Sequence, residues 1–347
     1  MHRFLSRRPL SLVAVALLAT PLSACGGSSA SGAGTAGLTH VTIALDYIAN
    51  NAGYAGIYAA EANGYFKAAR LDVTVIPYTQ TTPDVLVNAG QADFGTMDQP
   101  TLMMDRAAGE QPTSVMAVMQ HDANRIAVAD KDASLTSPAQ LSGKTFGAFG
   151  VPMEKIYNDQ TIKSAGGTPG YKTVTLGVSV FDALRSGQVD WTVPYETDDI
   201  QWAKRAGHPF KVFNPLDYGV PDSYTKLVFA NQDFLSKHPE IARDFVGALV
   251  KGYTWAARNP ERAVTTQAKL VKGAFTIEDQ TATAKDLAGH YWLDPKGVVG
   301  PETDTFWKAY AAFLTNAGLL KDSGGKTLTT PPDTSRWFTN SYLPAGQ

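Results

Sequence analysis

One pattern occurs twice in this chain, and it limits the fold more than any other feature. Gly90-Gln91-Ala92-Asp93-Phe94 follows the segment Leu86–Ala89, and Gly187-Gln188-Val189-Asp190-Trp191 follows Leu184–Ser186. Each copy runs on through a polar pair, Asp98-Gln99 or Tyr195-Glu196, to a second glycine, Gly109 or Gly207, and then to an apolar stretch, Ser114–Met119 or Phe210–Phe213. The order predicts helix, glycine cap, short strand, loop, helix, glycine, strand, because a glycine takes the left-handed conformation that ends a helix. Ala92–Met97 and Val189–Val193 are short and mostly apolar, as buried parallel strands are. The copies lie too far apart for a solenoid. They predict two similar lobes, each with its own sheet. Asp93 and Asp190, equivalent by the repeat, are expected to bond backbone at a strand start rather than ligand.

The remaining sequence alternates in the same way. Strands are expected at Val41–Leu45, Asp72–Pro77 and Lys144–Phe149, and helices at Gly56–Asn63, Thr82–Ala89 and Glu154–Ala165. From Pro239 onward the pattern is helical, over 242–258, 260–271, 276–288 and 302–317. Such alternation gives α/β lobes with mostly parallel sheets. Ligands bind beyond the carboxyl ends of such strands, which nominates the loops 46–54, 78–82, 97–101, 150–154 and 194–199. Facing lobes would bring all five to one cleft. Aromatic residues there (Tyr47, Tyr54, Tyr78, Tyr195) suit a flat ligand or pack between the lobes. Asp46 either caps the next helix or meets ligand. Asp98-Gln99-Pro100 reads partly as a helix start, although Gln99 offers both donor and acceptor. Gly150-Val151-Pro152 leaves backbone N–H groups able to hold an anion. Trp191, Trp202, Trp255, Trp292 and Trp307 are expected in the core.

The first residues carry Arg3, Arg7 and Arg8 ahead of the apolar run Leu10–Leu18, an export-signal pattern too short to span a bilayer. Leu22-Ser23-Ala24-Cys25 resembles a bacterial lipobox, and Cys25 is the single cysteine of 347 residues. Arg7-Arg8 also bears a slight likeness to a twin-arginine signal. Residues 26–37 are a Gly/Ser/Ala tether with nothing to bury. These features predict an exported domain held by a lipid on Cys25, at the outer face of the cytoplasmic membrane or facing a periplasm. The net charge of −2, without a basic patch, excludes nucleic acid as a partner.

A family resemblance then becomes specific. Leu45-Asp46-Tyr47, Asn50-Asn51, Gly56-Ile57-Tyr58-Ala59-Ala60, Gly64-Tyr65-Phe66 and Leu71-Asp72-Val73 resemble the opening of the ABC-importer proteins that bind thiamine pyrimidine precursors, relatives of the nitrate, sulfonate and taurine binders. Ser137–Lys144 resembles their segment before the second lobe, and Asn214–Asp222, with Tyr218, resembles the pyrimidine branch. The resemblance covers roughly residues 40–260. It implies a two-lobed type II periplasmic-binding-protein fold with two hinge crossings, lobe one being 38–126 plus 226–347 and lobe two 127–225. It further implies a monomer that closes on a small heterocycle and docks on an ABC permease driven by a separate ATPase. In such pyrimidine binders an aromatic ring stacks on the heterocycle and a carboxylate accepts from its amine, a role that falls on Glu196 here. The chain departs from the family in having Ala49-Asn50-Asn51 and Tyr54 near the family histidine, and Tyr195-Glu196-Thr197-Asp198 where a glycine follows the acid.

Enzyme readings find little support. The six histidines show no metal-ligand spacing, and there is no Gly-x-Ser-x-Gly elbow or P-loop. The cysteine-rich motif of the related fungal pyrimidine synthase is missing, and no cofactor is implied. A sulfonate or nitrate would want Arg or Lys, which the loops 46–54, 78–82 and 97–101 lack; Arg125, near the expected hinge, is the cation able to swing in. Riboflavin is the alternative heterocycle, and an adhesin without small ligand the alternative class.

Overall fold

The computed structural model describes residues 37–345 apart from Gln80 and Pro152, and the side chains of Asp130 and Val178 are not described. The signal-like segment with Cys25, the tether up to residue 36 and Pro152 lie outside the described residues. Ten strands are present among the described residues: β1 (Thr39–Ala44), β2 (Leu71–Ile76), β3 (Phe94–Met97), β4 (Pro112–Met119), β5 (Ile126–Val128), β6 (Thr145–Ala148), β7 (Lys172–Thr175), β8 (Trp191–Thr192), β9 (Lys211–Phe213) and β10 (Lys226–Asn231). They form two five-stranded sheets, ordered β2-β1-β3-β10-β4 and β7-β6-β8-β5-β9.

The two sheets are the same sheet built twice. In each, the first strand lies parallel between the second and third, and the strand that arrives from the other lobe slots in antiparallel between the third and fourth. The chain crosses between β4 and β5 and returns between β9 and β10. The sheets are therefore mixed rather than nearly all parallel, because each crossing strand enters from the opposite direction. Both faces of each sheet are covered, as alternation along the crossing strands shows. Val228 and Ala230 join one core cluster while Leu227 and Phe229 join another. Ile126 and Val128 are divided from Ala127 and Ala129 in the same manner.

The repeat is legible atom by atom. Gly90 and Gly187 have φ of 68° and 70°, so each ends its helix in the left-handed region. Asp93 Oδ2 then accepts from Thr42 N and Thr42 Oγ1, both at 2.8 Å, joining the start of the third strand to the first. Asp190 Oδ2 accepts from Thr145 N at 2.7 Å, and Lys131 Nζ lies 2.6 Å from its other oxygen. Each aspartate ties a backbone N–H that would otherwise be orphaned. Replacing Asp93 by alanine is expected to lower stability by about 1.5–3 kcal/mol, as loss of a charged acceptor does. Urea unfolding followed by fluorescence and circular dichroism would read this. A midpoint equal to wild type would show the bonds to be dispensable.

Of the five tryptophans expected in the core, Trp191, Trp292 and Trp307 are fully buried. Trp202 and Trp255 are only half-buried. Trp202 seals a seam, its ring against Phe275 and its Nε1 donating to Thr283 Oγ1 at 3.3 Å. Trp255 carries the Arg262 guanidinium over its ring. Among the described residues no helix is long and apolar enough to cross a membrane.

Candidate functional site

The strand ends of both sheets open on one cavity of about 460 Å³ between the lobes. Its most tightly held wall is the loop after β1. Three C-terminal helices fix that loop by its backbone. Tyr253 OH donates to Gly53 O at 2.9 Å, Gln267 Nε2 to Ala49 O and Asn51 O at 2.9 Å each, and Gln280 Oε1 accepts from Ala52 N. Asn51 caps the short turn Ala52–Tyr54 through Gly53 N. The loop is thus rigid before any ligand arrives.

At the floor, Asp46 meets Lys226 from the start of β10. Lys226 Nζ lies 2.8 and 2.9 Å from the two Asp46 oxygens and donates to Tyr54 OH at 3.2 Å. Tyr54 OH donates to Asp46 Oδ1 at 2.7 Å, and Thr96 Oγ1 bonds the same oxygen. Lys226 is only 8% exposed. Burial works to raise the Asp46 carboxyl, but the Lys226 ammonium and the hydroxyls of Thr96 and Tyr54 hold it below the usual carboxylate range.

Two further carboxylate groups converge. At the hinge, Asp122 accepts from Asn124 N (2.7 Å), Tyr157 OH (2.9 Å) and Ser223 Oγ (3.2 Å). Burial pushes it up to about 6, against those donors. On lobe two, a single π turn spans Glu196–Ile200, a deformation often found at functional sites. Asp198 on this turn accepts from Asn51 Nδ2 at 3.1 Å and Thr283 Oγ1 at 3.2 Å, so it bridges to lobe one. Burial raises it to about 6. Asp199 beside it is 8% exposed, faces the cavity, and receives no side-chain hydrogen bond from another of the described residues. Burial, then the neighbouring Asp198 charge, push it up to about 8.

The rim is aromatic. Tyr78, Phe149, Val151 and Tyr195 are half of the large apolar side chains left exposed among the described residues, and all four line this cavity. A more open groove of about 690 Å³ runs over the outer edge of sheet two, past Lys155, Lys163 and Thr175. It is bounded by the fully exposed strand β7. Because no buried polar groups converge on it, the cavity between the lobes is the candidate site.

Of the residues nominated from sequence, Asp46, Tyr47, Asn51, Tyr78, Asp98 and Tyr195 line the cavity. The others do not. Tyr54 lies fully buried beneath Asp46. Asn50 turns away to donate to Phe275 O at 3.0 Å. Gln99 is fully buried, its Oε1 accepting from Tyr224 N at 2.9 Å. Tyr218 packs against the core of lobe two. Glu196 is spent on the hinge: Arg125 Nη2 lies 2.6 Å from its Oε2, and Tyr291 OH donates to the same oxygen at 3.0 Å. This also corrects the expectation for Arg125, which is held by Glu196 and by the carbonyls of Asp122 and Asn124. The backbone N–H groups before helix 153–164 are not free for an anion. Those of Phe149, Gly150 and Val151 donate to the Glu154 carboxylate at 2.7, 2.9 and 3.2 Å.

Sequence reasoning missed Lys226, Asp122, Tyr157, Phe149, Asp198 and Asp199. Lys226 did carry a signal, a lysine opening an otherwise apolar strand.

The profile of the family described as NMT1/THI5 like matches residues 51–263 of this chain. A formylaminopyrimidine-binding protein of Halalkalibacterium halodurans is 31% identical over 233 residues, 65% of this chain and 69% of that one. The 4-amino-5-hydroxymethyl-2-methylpyrimidine phosphate synthase THI13 of Saccharomyces cerevisiae is 26% identical over 60% of this chain and 64% of its own length. The crystal structure of the periplasmic aliphatic sulphonate binding protein SsuA from Escherichia coli superposes with a TM-score of 0.63 at 14% identity, covering 89% of this chain and 94% of that one. The likeness in structure identifies the two-lobed periplasmic-binding-protein fold.

Proposed function

We propose, starting from the fact that this chain belongs to the NMT1/THI5-like family, that it is the substrate-binding component of an ABC importer for an aminopyrimidine. The observation that carries the ligand class is the charge of the cleft. Among the described residues, Asp46, Asp84, Asp98, Asp122, Glu154 and Asp198, with the neutral carboxyl of Asp199 beside them, line it against one cation, Lys226, which is already paired with Asp46. A sulfonate or nitrate would meet like charge there, and the backbone donors near Gly150 already hold Glu154. A ligand rich in N–H donors is favoured instead.

Asp199 gives the reading its chemistry. A carboxyl held neutral near pH 7 donates through its O–H and accepts through its carbonyl. That pair complements the edge of an aminopyrimidine, where an amine donor sits beside a ring-nitrogen acceptor. Tyr78, Phe149 and Tyr195 supply faces on which the ring stacks. Lobe two, 127–225, closes on lobe one, 38–126 plus 226–347, and desolvates the ring. The chain acts as a monomer, tethered by a lipid on Cys25 outside the cytoplasmic membrane, and hands its ligand to a permease powered by a separate ATPase. It binds without turnover: the cysteine-rich motif of the fungal synthases is missing from the sequence, and Tyr54 stands near the family histidine, tied to Asp46.

Isothermal titration of residues 26–347 with a 5-hydroxymethyl-4-aminopyrimidine, with riboflavin and taurine beside it, tests this. Saturable, recoverable binding of the pyrimidine alone is expected. Binding of riboflavin or taurine in its place would keep the importer and overturn the ligand, whereas chemical conversion of the pyrimidine would overturn the non-enzymatic role.

A further inference from the structure

The cleft pairs a fixed polar end with an adaptable apolar wall. Four of the seven methionines of the chain line it: Met97, Met104, Met119 and Met153. They come from four different elements, the ends of β3 and β4, helix Gln99–Ala107 and the first turn of helix Met153–Ser164. Met153 belongs to lobe two yet packs, as Met104 does, against the lobe-one core cluster that contains Met97. The wall therefore spans the cleft. Met97 and Met119 are buried, and Met104 and Met153 half-buried.

Methionine is unbranched, has three rotatable bonds and a polarizable sulfur, and so fills differing shapes at small cost. A wall of Leu or Ile would hold one shape. At about 460 Å³ the cavity falls in the size range of sites for drug-sized ligands, more room than one six-membered ring with small substituents fills. The polar end is the reverse. The loop bearing Asn51 is held by three helices, and Asp198 is bonded to Asn51 and Thr283.

We propose that this cleft reads the amine edge of its ligand strictly and the remainder loosely, so that its substrates are a class of aminopyrimidines with varied, including bulky apolar, substituents at the opposite edge. This rests on the aminopyrimidine reading above. The methionines set the breadth and the carboxyls set the class.

The test is calorimetric titration with 4-amino-2-methylpyrimidines carrying hydroxymethyl, formylaminomethyl or benzyl at C5, and with the counterpart of the first that has hydrogen in place of the 4-amino group. A rigid apolar pocket discriminates by roughly 10–200-fold for one methylene, and a site that bonds an N–H rejects its absence by far more. The three amines should therefore bind within about tenfold of one another and the compound without the amine at least about a hundredfold more weakly. Met104→Ile with Met153→Ile, shapes of similar volume that cannot flex, should weaken the benzyl compound at least about tenfold more than the hydroxymethyl one. Tight binding of one amine with exclusion of the others overturns the inference and leaves the aminopyrimidine reading standing. So does an unchanged selectivity in the double variant. Failure of all three amines overturns both.

Discussion

Replacing Lys226 by methionine is expected to cost about 3–5 kcal/mol of folding stability, the usual result of removing one partner from a buried ion pair. Both oxygens of Asp46 lie within 2.9 Å of the ammonium, and Lys226 is 8% exposed. The variant leaves a desolvated carboxylate with only the Thr96 and Tyr54 hydroxyls as donors. Removing the second charge as well should restore much of the loss, since a neutral pair of similar shape carries no ionic desolvation cost. Asp46→Asn combined with Lys226→Met is therefore expected to be more stable than Lys226→Met alone, a reversal that a merely additive pair would not show.

The pH dependence checks the cause. In the native protein the Asp46 carboxyl is held down, so its contribution is present above the unfolded value of about 4 and lost as pH falls through the folded value. In Lys226→Met, burial without the ammonium raises the same carboxyl, so that variant gains relative stability on acidification. The gap between the two should narrow toward pH 4. Urea midpoints at pH 7 and pH 4, read by two probes because two lobes need not unfold together, measure it. A variant within 1 kcal/mol of wild type at pH 7 would sink the assignment of Lys226 as the counter-ion.

How far the sequence revealed all this depended on the range of the interactions involved. The duplicated Gly-Gln-x-Asp-aromatic unit encodes local events, a helix stop and a strand start, and both copies adopt them, down to the bonds of Asp93 and Asp190. The strand-end rule then points to the cavity on which the strand ends of both sheets open. Side-chain roles were harder to read because distant partners decide them. Gln99 is claimed by the backbone of Tyr224, 125 positions on, and Asn50 by Phe275. Glu196 is claimed by Arg125 and Tyr291. The antiparallel crossing strands β5 and β10 were hidden for the same reason, since their pairings join segments far apart. The acids of 196–199 pose a different problem. An α-helical period cannot tell which of them faces the cleft, because the π turn adds a residue and shifts the phase.

Asp199 should control ligand affinity, and pH should show it. Its carboxyl is pushed up to about 8 by burial and by Asp198, against Arg185, while Asp182 adds to the rise. The free protein near pH 7 therefore already carries the proton that the complex shares between Asp199 and the ring nitrogen. Above about pH 8 that proton must be taken from solvent, and the Kd for the aminopyrimidine is expected to rise by about tenfold per pH unit, after correction for the titration of the free ligand. Folding has the same sign. An acid raised on folding stabilises fully below its unfolded value, and that contribution is lost as pH rises through about 8. The free protein should accordingly soften as pH rises from about 4 to about 8 and level off above it. Asp199→Asn keeps a donor and an acceptor on one planar group, the arrangement by which amide side chains pair with an adenine edge, so it should bind with a flat pH profile and lose that softening. Asp199→Leu offers neither and should bind at least about a hundredfold more weakly, while Glu196→Gln, changed at the hinge, should fall well short of that loss. Titrations of the four proteins between pH 6.5 and 9.5 separate these outcomes. A wild-type affinity that stays level across that range, or an Asp199→Leu variant that binds as well as wild type, would remove Asp199 from the recognition of the amine edge and leave the aromatic rim to account for binding.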